Sequence, residues 1–187
     1  EHSGTGTALN NLASLYAIQG KYSKAESLFL RSLSIKEKTL GPEHSGTAIS
    51  LNNLGLLYVY QGKYSKAEPL YLRSLSISEK TYGPEHLFVG KSLLNLANLY
   101  KSKGLFSKAE SLYLRALSIL EKDLGTNHPD TAILLEKLAS LYFIQGLYSK
   151  AEPLYLRALS IEEKNLGPDH PDTCLLYTSD AADDETS

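Results

Sequence analysis

Five histidines are the residues whose type and spacing first invite a chemical reading: His2, His44, His86, His128 and His170 recur every 42 residues. Imidazole is the commonest protein metal ligand, so a regular column of it could in principle form a metal ladder. A zinc or iron centre needs further ligands at fixed spacing, and each of these histidines stands alone in a loop rich in glycine or proline. They read as structural loop residues. The columns Arg31, Arg73, Arg115, Arg157 and Glu37, Glu79, Glu121, Glu163 keep the same period. Charges recurring in this way read as solvated or inter-repeat pairs, not as an acid–base couple. No glycine-rich loop follows a strand, and no nucleophile stands beside a base, so no catalytic residue, metal or cofactor is expected and the chain reads as non-enzymatic.

What positions these columns is a repeated unit. Gly20, Gly62, Gly104 and Gly146 recur every 42 residues in near-identical surroundings. They divide the chain into repeats 1–41, 42–83, 84–125 and 126–167, followed by the start of a fifth at 168–173. In the second repeat Leu51, Leu54, Gly55 and Tyr58 fall at i, i+3, i+4 and i+7, one face of a helix A expected over 45–61. Gly62 supplies the left-handed backbone that ends it, and Ser65-Lys66-Ala67-Glu68 has the form of a capping box opening a helix B. Helix B should stop at Tyr82-Gly83-Pro84. Its apolar sector is wide enough to meet both its own helix A and that of the next repeat. Small residues at Ala13, Gly55, Ala97, Ala139 and at Ala25, Ala67, Ala109, Ala151 should let the helices approach closely. Two aromatic columns, one containing Tyr58 and the other Tyr64, should fill the rest, their phenols bonded to backbone or water.

Leu54-Gly55, Tyr58, Gly62, Tyr64, Ala67 and Tyr71 resemble the tetratricopeptide signature, and the resemblance covers residues 1–173. With Leu51-Asn52-Asn53-Leu54, Glu79-Lys80 and Gly83-Pro84-Glu85-His86, the unit is similar to the kinesin light chain subtype. The resemblance implies an all-α fold of helix-turn-helix repeats stacked in a right-handed superhelix, an α-solenoid whose concave face holds peptides from partner proteins. The shorter common unit has ~34 residues, so the extra ~8 amount to roughly two turns of helix B. Repeats 1 and 2 agree at about three quarters of their positions, as expected of recent duplication in a long array.

With one face of helix A in the core, the opposite face should line the groove. The residues expected to contact a peptide are Asn10 and Asn11 in repeat 1; Ile49, Asn52, Asn53 and Leu56 in repeat 2; Lys91, Asn95, Asn98 and Lys101 in repeat 3; and Glu136 and Lys137 in repeat 4. Asparagine suits this task because its amide both donates and accepts, and so can pair with any peptide backbone. Lys91, Lys101 and Lys137 against Glu136 predict a preference for an acidic peptide. Two other readings are a passive spacer and a recruiting or regulatory array within a larger multidomain protein.

No apolar run approaches the ~18 residues that span a bilayer, so no membrane partner is expected. The net charge of −2 includes Asp180, Asp183, Asp184 and Glu185, and residues 1–173 without them carry +2. Neither value implies nucleic acid. A single cysteine, Cys174, fits a reducing compartment, the cytoplasm. The repeat pattern ends at Thr173, and residues 174–183 match the translation of a transposase-based sequencing adapter, TGT CTC TTA TAC ACA TCT GAC GCT GCC GAC. Residues 174–187 are therefore expected to be a non-native tail, and the chain a fragment that begins inside a repeat at Glu1. Uncapped ends predict self-association.

Overall fold

The computed structural model describes residues 2–166, which are all-α with no strand among them. The described residues form eight helices in chain order, α1 (Ser3–Ile18), α2 (Tyr22–Thr39), α3 (Ser45–Tyr60), α4 (Tyr64–Tyr82), α5 (Leu87–Ser102), α6 (Phe106–Leu124), α7 (Pro129–Ile144) and α8 (Tyr148–Leu166), and α1 packs on α2, α3 on α4 and α7 on α8. The odd-numbered helices are helices A and the even-numbered ones helices B. The opening of the fifth repeat, His170, Cys174 and the adapter-like tail lie outside the described residues. The described residues divide into two compact units, the first ending at Leu112 and the second beginning at Tyr113.

The glycine after each helix A acts as its spacing implies. Gly62 has φ +69°, which lets the Gly62 N–H donate to the Val59 carbonyl (2.9 Å) and the Lys63 N–H to the Tyr58 carbonyl (2.8 Å). This is the Schellman closure, and it satisfies two carbonyls that the helix end would strand. Gly146 repeats it in the second unit, at φ +71°.

The capping box does not form. Helix α4 already begins at Tyr64, with Lys63 at the N-cap and no side-chain cap bond, so Ser65 lies inside the first turn. The turn after Gly62 is so short that the chain enters helical geometry before Ser65 is reached. Pro69 is accordingly the sixth residue of α4, two residues deeper than a helix capped by Ser65 would place it. Helix B has 19 residues in repeat 2 against 16 in helix A. Part of the extra length of this repeat therefore goes into helix B and part into the four-residue connection 83–86.

That connection explains the histidines. His44, His86 and His128 are the N-caps of α3, α5 and α7, where a ring Nδ1 accepts from the backbone N–H of Gly46 (2.9 Å), Phe88 (3.2 Å) and Asp130 (3.1 Å). The imidazole replaces the hydroxyl or carboxylate usual at this place. Thr47 and Thr131 close the same loop by donating to the carbonyls of Gly41 (2.8 Å) and Gly125 (3.1 Å).

In the first unit α3 is held between two helices B, its own α4 and the preceding α2. Leu51, Leu54 and Leu57 are each at most 2% exposed as a result. Gly55 belongs to the small-residue column for a visible reason, since a Cβ there would stand 2.7 Å from the ring of Tyr71, itself only 2% exposed. Leu33 of α2 packs onto the cluster of Ala48, Leu51 and Ile77, so helix B does serve both neighbours. The second unit repeats the scheme, with Leu117 and Leu154 packed on Ala132, Leu135, Ala158 and Ile161. Buried serines in the first unit find backbone carbonyls: Ser32 donates to Gly6 (2.6 Å) and Ser74 to Ala48 (2.9 Å). The second aromatic column is less buried than expected, because it opens helix B at its solvent end. Tyr22 is 37% exposed and Tyr148 62%.

The first aromatic column makes the polar joint between repeats. Tyr58 donates to the Glu26 carboxylate of α2 (2.9 Å), and Tyr100 to Glu68 of α4 (3.1 Å), where a backbone or water partner is the expectation from sequence. Lys103 binds the same Glu68 carboxylate. Lysines also lie over these rings, Lys66 at 5.4 Å from the Tyr58 centroid and Lys150 at 5.1 Å from that of Tyr142. A second joint is made by arginine: Arg73 pairs with Glu37 (2.6 Å) and Arg157 with Glu121 (2.6 Å), 84 residues further along. These are the inter-repeat pairs that the charge columns imply.

Burial and then the Glu26 carboxylate push the Tyr58 phenol up to about 12. Hydrogen bonding from Lys103 holds the Glu68 carboxyl below the ordinary range against the opposing effect of burial, with Tyr100 adding to it. A carboxyl that titrates lower folded than unfolded contributes stability above its unfolded pKa of ~4.3, and loses it as pH falls through the folded value. Glu68→Gln should therefore flatten the decline in melting temperature on acidification below pH ~5 relative to the parent chain. An acid limb of unchanged slope in both proteins contradicts the joint.

Candidate functional site

The face of helix A turned away from the core is continuous in the first unit, where α3 touches both α1 and α5. Ile49 (54% exposed) and Lys91 project from it, Asn52, Asn53, Leu56, Asn95, Asn98 and Lys101 are half-buried, and Asn11 is exposed. Asn10 differs. It is 5% exposed, with its Oδ1 buried and unbonded, so it does not offer its amide to solvent as a groove residue should. The second unit carries Glu136 and Lys137 half-buried on α7.

Four of the expected residues converge. Ile49, Asn52, Lys91 and Asn95 line a cavity of about 210 Å³ between α3, α4 and α5. That is smaller than the ~300 Å³ at which pockets for whole small molecules begin, so the space suits one side chain of a longer ligand. Asn95 Nδ2 donates to Asn52 Oδ1 (2.9 Å), which fixes both amides and leaves Asn95 an acceptor and Asn52 a donor for a ligand backbone. Exposed Ile49 and Phe88 form an apolar rim, and buried Ser74 and Ser78 a hydroxyl floor. Lys91 adds a cation at the edge.

The floor comes from helix B, which the helix A wheel does not include. The signal is present in the alignment of repeats: Ser78 stands where repeat 1 has Lys36 and repeat 3 has Leu120. Lys36 is 5% exposed, its Cγ 3.1 Å from where a Cβ on Gly6 would lie, and burial pulls its ammonium pKa down. A long side chain occupies in α2 the place that serine leaves open in α4. Tyr82, His86 and Phe88 form an aromatic stack beside the cavity, with His86 centred 4.8 Å from Tyr82 and 5.3 Å from Phe88. Among the described residues no group of three or more His, Cys, Asp or Glu side chains could hold a metal ion, and no helix is long and apolar enough to cross a membrane.

Helical hairpins joined in this way define a class of repeat protein, and comparison with known families gives the class its name. The family described as tetratricopeptide repeat matches residues 4–80, 62–122, 92–164 and 130–179. The chain belongs to the tetratricopeptide repeat family, whose repeats in general mediate protein–protein interaction. It is similar to BtubC (BKLC) from P. vanneervenii, at 27% identity and a TM-score of 0.78 over 89% of this chain, and it spans 66% of that one. Two crystal structures of a Podosopora anserina putative kinesin light chain with nearly identical TPR-like repeats are also similar. Each is 26% identical over 98% of this chain and 90% of the other, with TM-scores of 0.81 and 0.80. Among curated proteins none matches.

In the second unit, burial first and then the neighbouring Glu162 push the Glu136 carboxyl up, with Lys137 opposing. A carboxyl whose pKa is raised on folding favours the folded state at low pH and costs stability once pH rises through the folded value. Glu136→Gln, uncharged at every pH, should raise the melting temperature at neutral pH and have little effect near pH 4. A lower neutral melting temperature contradicts the assignment.

Proposed function

We propose that this chain is a protein-interaction scaffold of the cytoplasm that holds an extended peptide in the concave groove lined by the faces of helices α1, α3 and α5 turned away from the core. A side chain of that peptide seats in the cavity between α3, α4 and α5, and its backbone pairs with the amides of Asn52, Asn53 and Asn95. The observation that carries this reading is the convergence of Ile49, Asn52, Lys91 and Asn95 on one side-chain-sized cavity, with two of the amides already fixed by a mutual bond. Lys91 and Lys101 favour an acidic ligand, and Lys137 supplies a further cation in the second unit. Nothing in the face supplies an acid–base couple, so the proposed role is recognition without catalysis. A passive spacer has no need of a cavity with paired amides, and the same face would serve equally in a larger recruiting array.

An acidic peptide selected from a random display library tests the reading by titration calorimetry. Its affinity should fall several-fold between ~50 and ~200 mM salt, as exposed charges are screened. Lys91→Gln with Lys101→Gln should weaken it by ~10-fold or less. Ser78→Lys, which places in α4 the residue that α2 already carries, should abolish binding while the fold is kept. Affinity insensitive to salt, to both lysines and to Ser78→Lys would falsify the proposal.

A further inference from the structure

Repeats 1 and 2 carry nearly the same groove face, since Asn10-Asn11 of α1 recur as Asn52-Asn53 of α3. A peptide that seats a side chain between α3, α4 and α5 therefore has a second candidate seat one repeat earlier, between α1, α2 and α3. The polar floor of that earlier joint is the same. Ser32 donates to the Gly6 carbonyl as Ser74 donates to that of Ala48, and Ser50 stands where the open cavity has Ser92.

What differs is what lies on the floor. Lys36 holds the position of Ser78, and Gly6 that of Ala48. The two changes are coupled: a Cβ on Gly6 would lie 3.1 Å from Lys36 Cγ, so the glycine makes the room that the lysine stem fills. Under that stem the joint is sealed. Ser50 is 0% exposed against 8% for Ser92, and Asn10 is 5% exposed where Asn52 is half-buried. The same stem accounts for the Asn10 amide, which is held in the interior instead of facing the groove. Lysine is a costly filler here, because burial works against its ammonium and lowers its pKa, and serine serves the same position in repeat 2. Packing alone gives no reason for it.

We propose that Lys36 sets the frame of the bound peptide: it closes the first joint to ligand side chains, so that of two near-identical joints the one beside Ser78 receives the side chain. This rests on the peptide-holding role proposed above. Specificity then comes from excluding a wrong frame, not from a further attraction to the right one. A peptide displaced by one repeat meets the lysine stem where it needs a pocket.

The test has two arms, both on the whole chain. In the first, which needs no ligand, a single cysteine replaces Ser50 or Ser92 in a Cys174→Ser background, and its reaction with a small methanethiosulfonate is timed. Ser92→Cys should react at least ~10-fold faster than Ser50→Cys. Lys36→Ser should raise the Ser50→Cys rate by at least ~10-fold, whereas Lys36→Met, of similar length, should leave it slow. Gly6→Ala with Lys36→Ser, copying repeat 2 at both positions, serves should Lys36→Ser alone lower the helix content seen by circular dichroism. In the second arm a library-selected acidic peptide carries a nitroxide at one end, and its broadening of amide resonances is mapped. In the parent and in Lys36→Met the broadening should fall on one stretch of the groove; in Lys36→Ser a second stretch, one repeat away, should join it. A Ser50→Cys that reacts equally fast with and without Lys36, or a Lys36→Ser chain that keeps a single frame, overturns the inference and leaves the peptide-holding role standing. A parent that binds no peptide overturns that role and the frame with it.

Discussion

The structure depends on one constraint: a helix A with too much apolar surface for a single neighbour must be covered from two sides. Leu54 and Leu12 are the same residue at the same repeat position, yet one is 2% exposed and the other 41%. The difference is a preceding helix B. Burying a leucine contributes roughly 1.5–3 kcal/mol, and each repeat joint buries several, so the stack is held by contacts that no repeat can make alone. The small column follows from the same constraint. Gly55 and the alanines at its equivalents let a helix B ring, Tyr71 in repeat 2, lie flat against helix A.

Polar groups at the joint give it direction rather than strength. A tyrosine from the later repeat must meet a glutamate from the earlier one, and an arginine from the later helix B must meet Glu37 or Glu121. Exposed pairs of this sort contribute little individually, but they leave the reverse order of stacking with unpaired buried hydroxyls. Histidine caps complete the joint by fixing where α3, α5 and α7 begin, which sets the register of the residues on their groove faces, the cavity-lining amides included.

Much of the fold is legible in the sequence because the period repeats each signal four times. Gly62 and Gly83 mark helix ends through backbone conformations that other residues rarely adopt, and the helix A wheel separates Leu51 and Leu54 from Asn52 and Ile49 in repeat 2, although the equivalent Asn10 of repeat 1 is buried. What escapes is set by three-dimensional proximity. Ser65 fits a capping box by pattern, but the turn after Gly62 is too short for it, and Glu68 reaches the next repeat instead. The histidine column looks like ligand chemistry or loop filler until its Nδ1 atoms are found against backbone N–H groups. At the site, the wheel of helix A finds Asn52, Asn95 and Lys91 but misses Ser78, because this cavity is floored by helix B, where small serines face the gap between two helices A.

Whether a partner peptide lies on the groove-lining face of α3 and α5, over the cavity beneath it, is addressed most directly by amide chemical-shift mapping. The isotopically labelled chain is titrated with a library-selected acidic peptide. The largest shifts should fall on Asn52, Asn95, Lys91 and Ser78, with Leu30 and Leu72 on the exposed side of helix B unmoved. Shifts concentrated on Leu30 and Leu72, with the cavity residues silent, would contradict that placement.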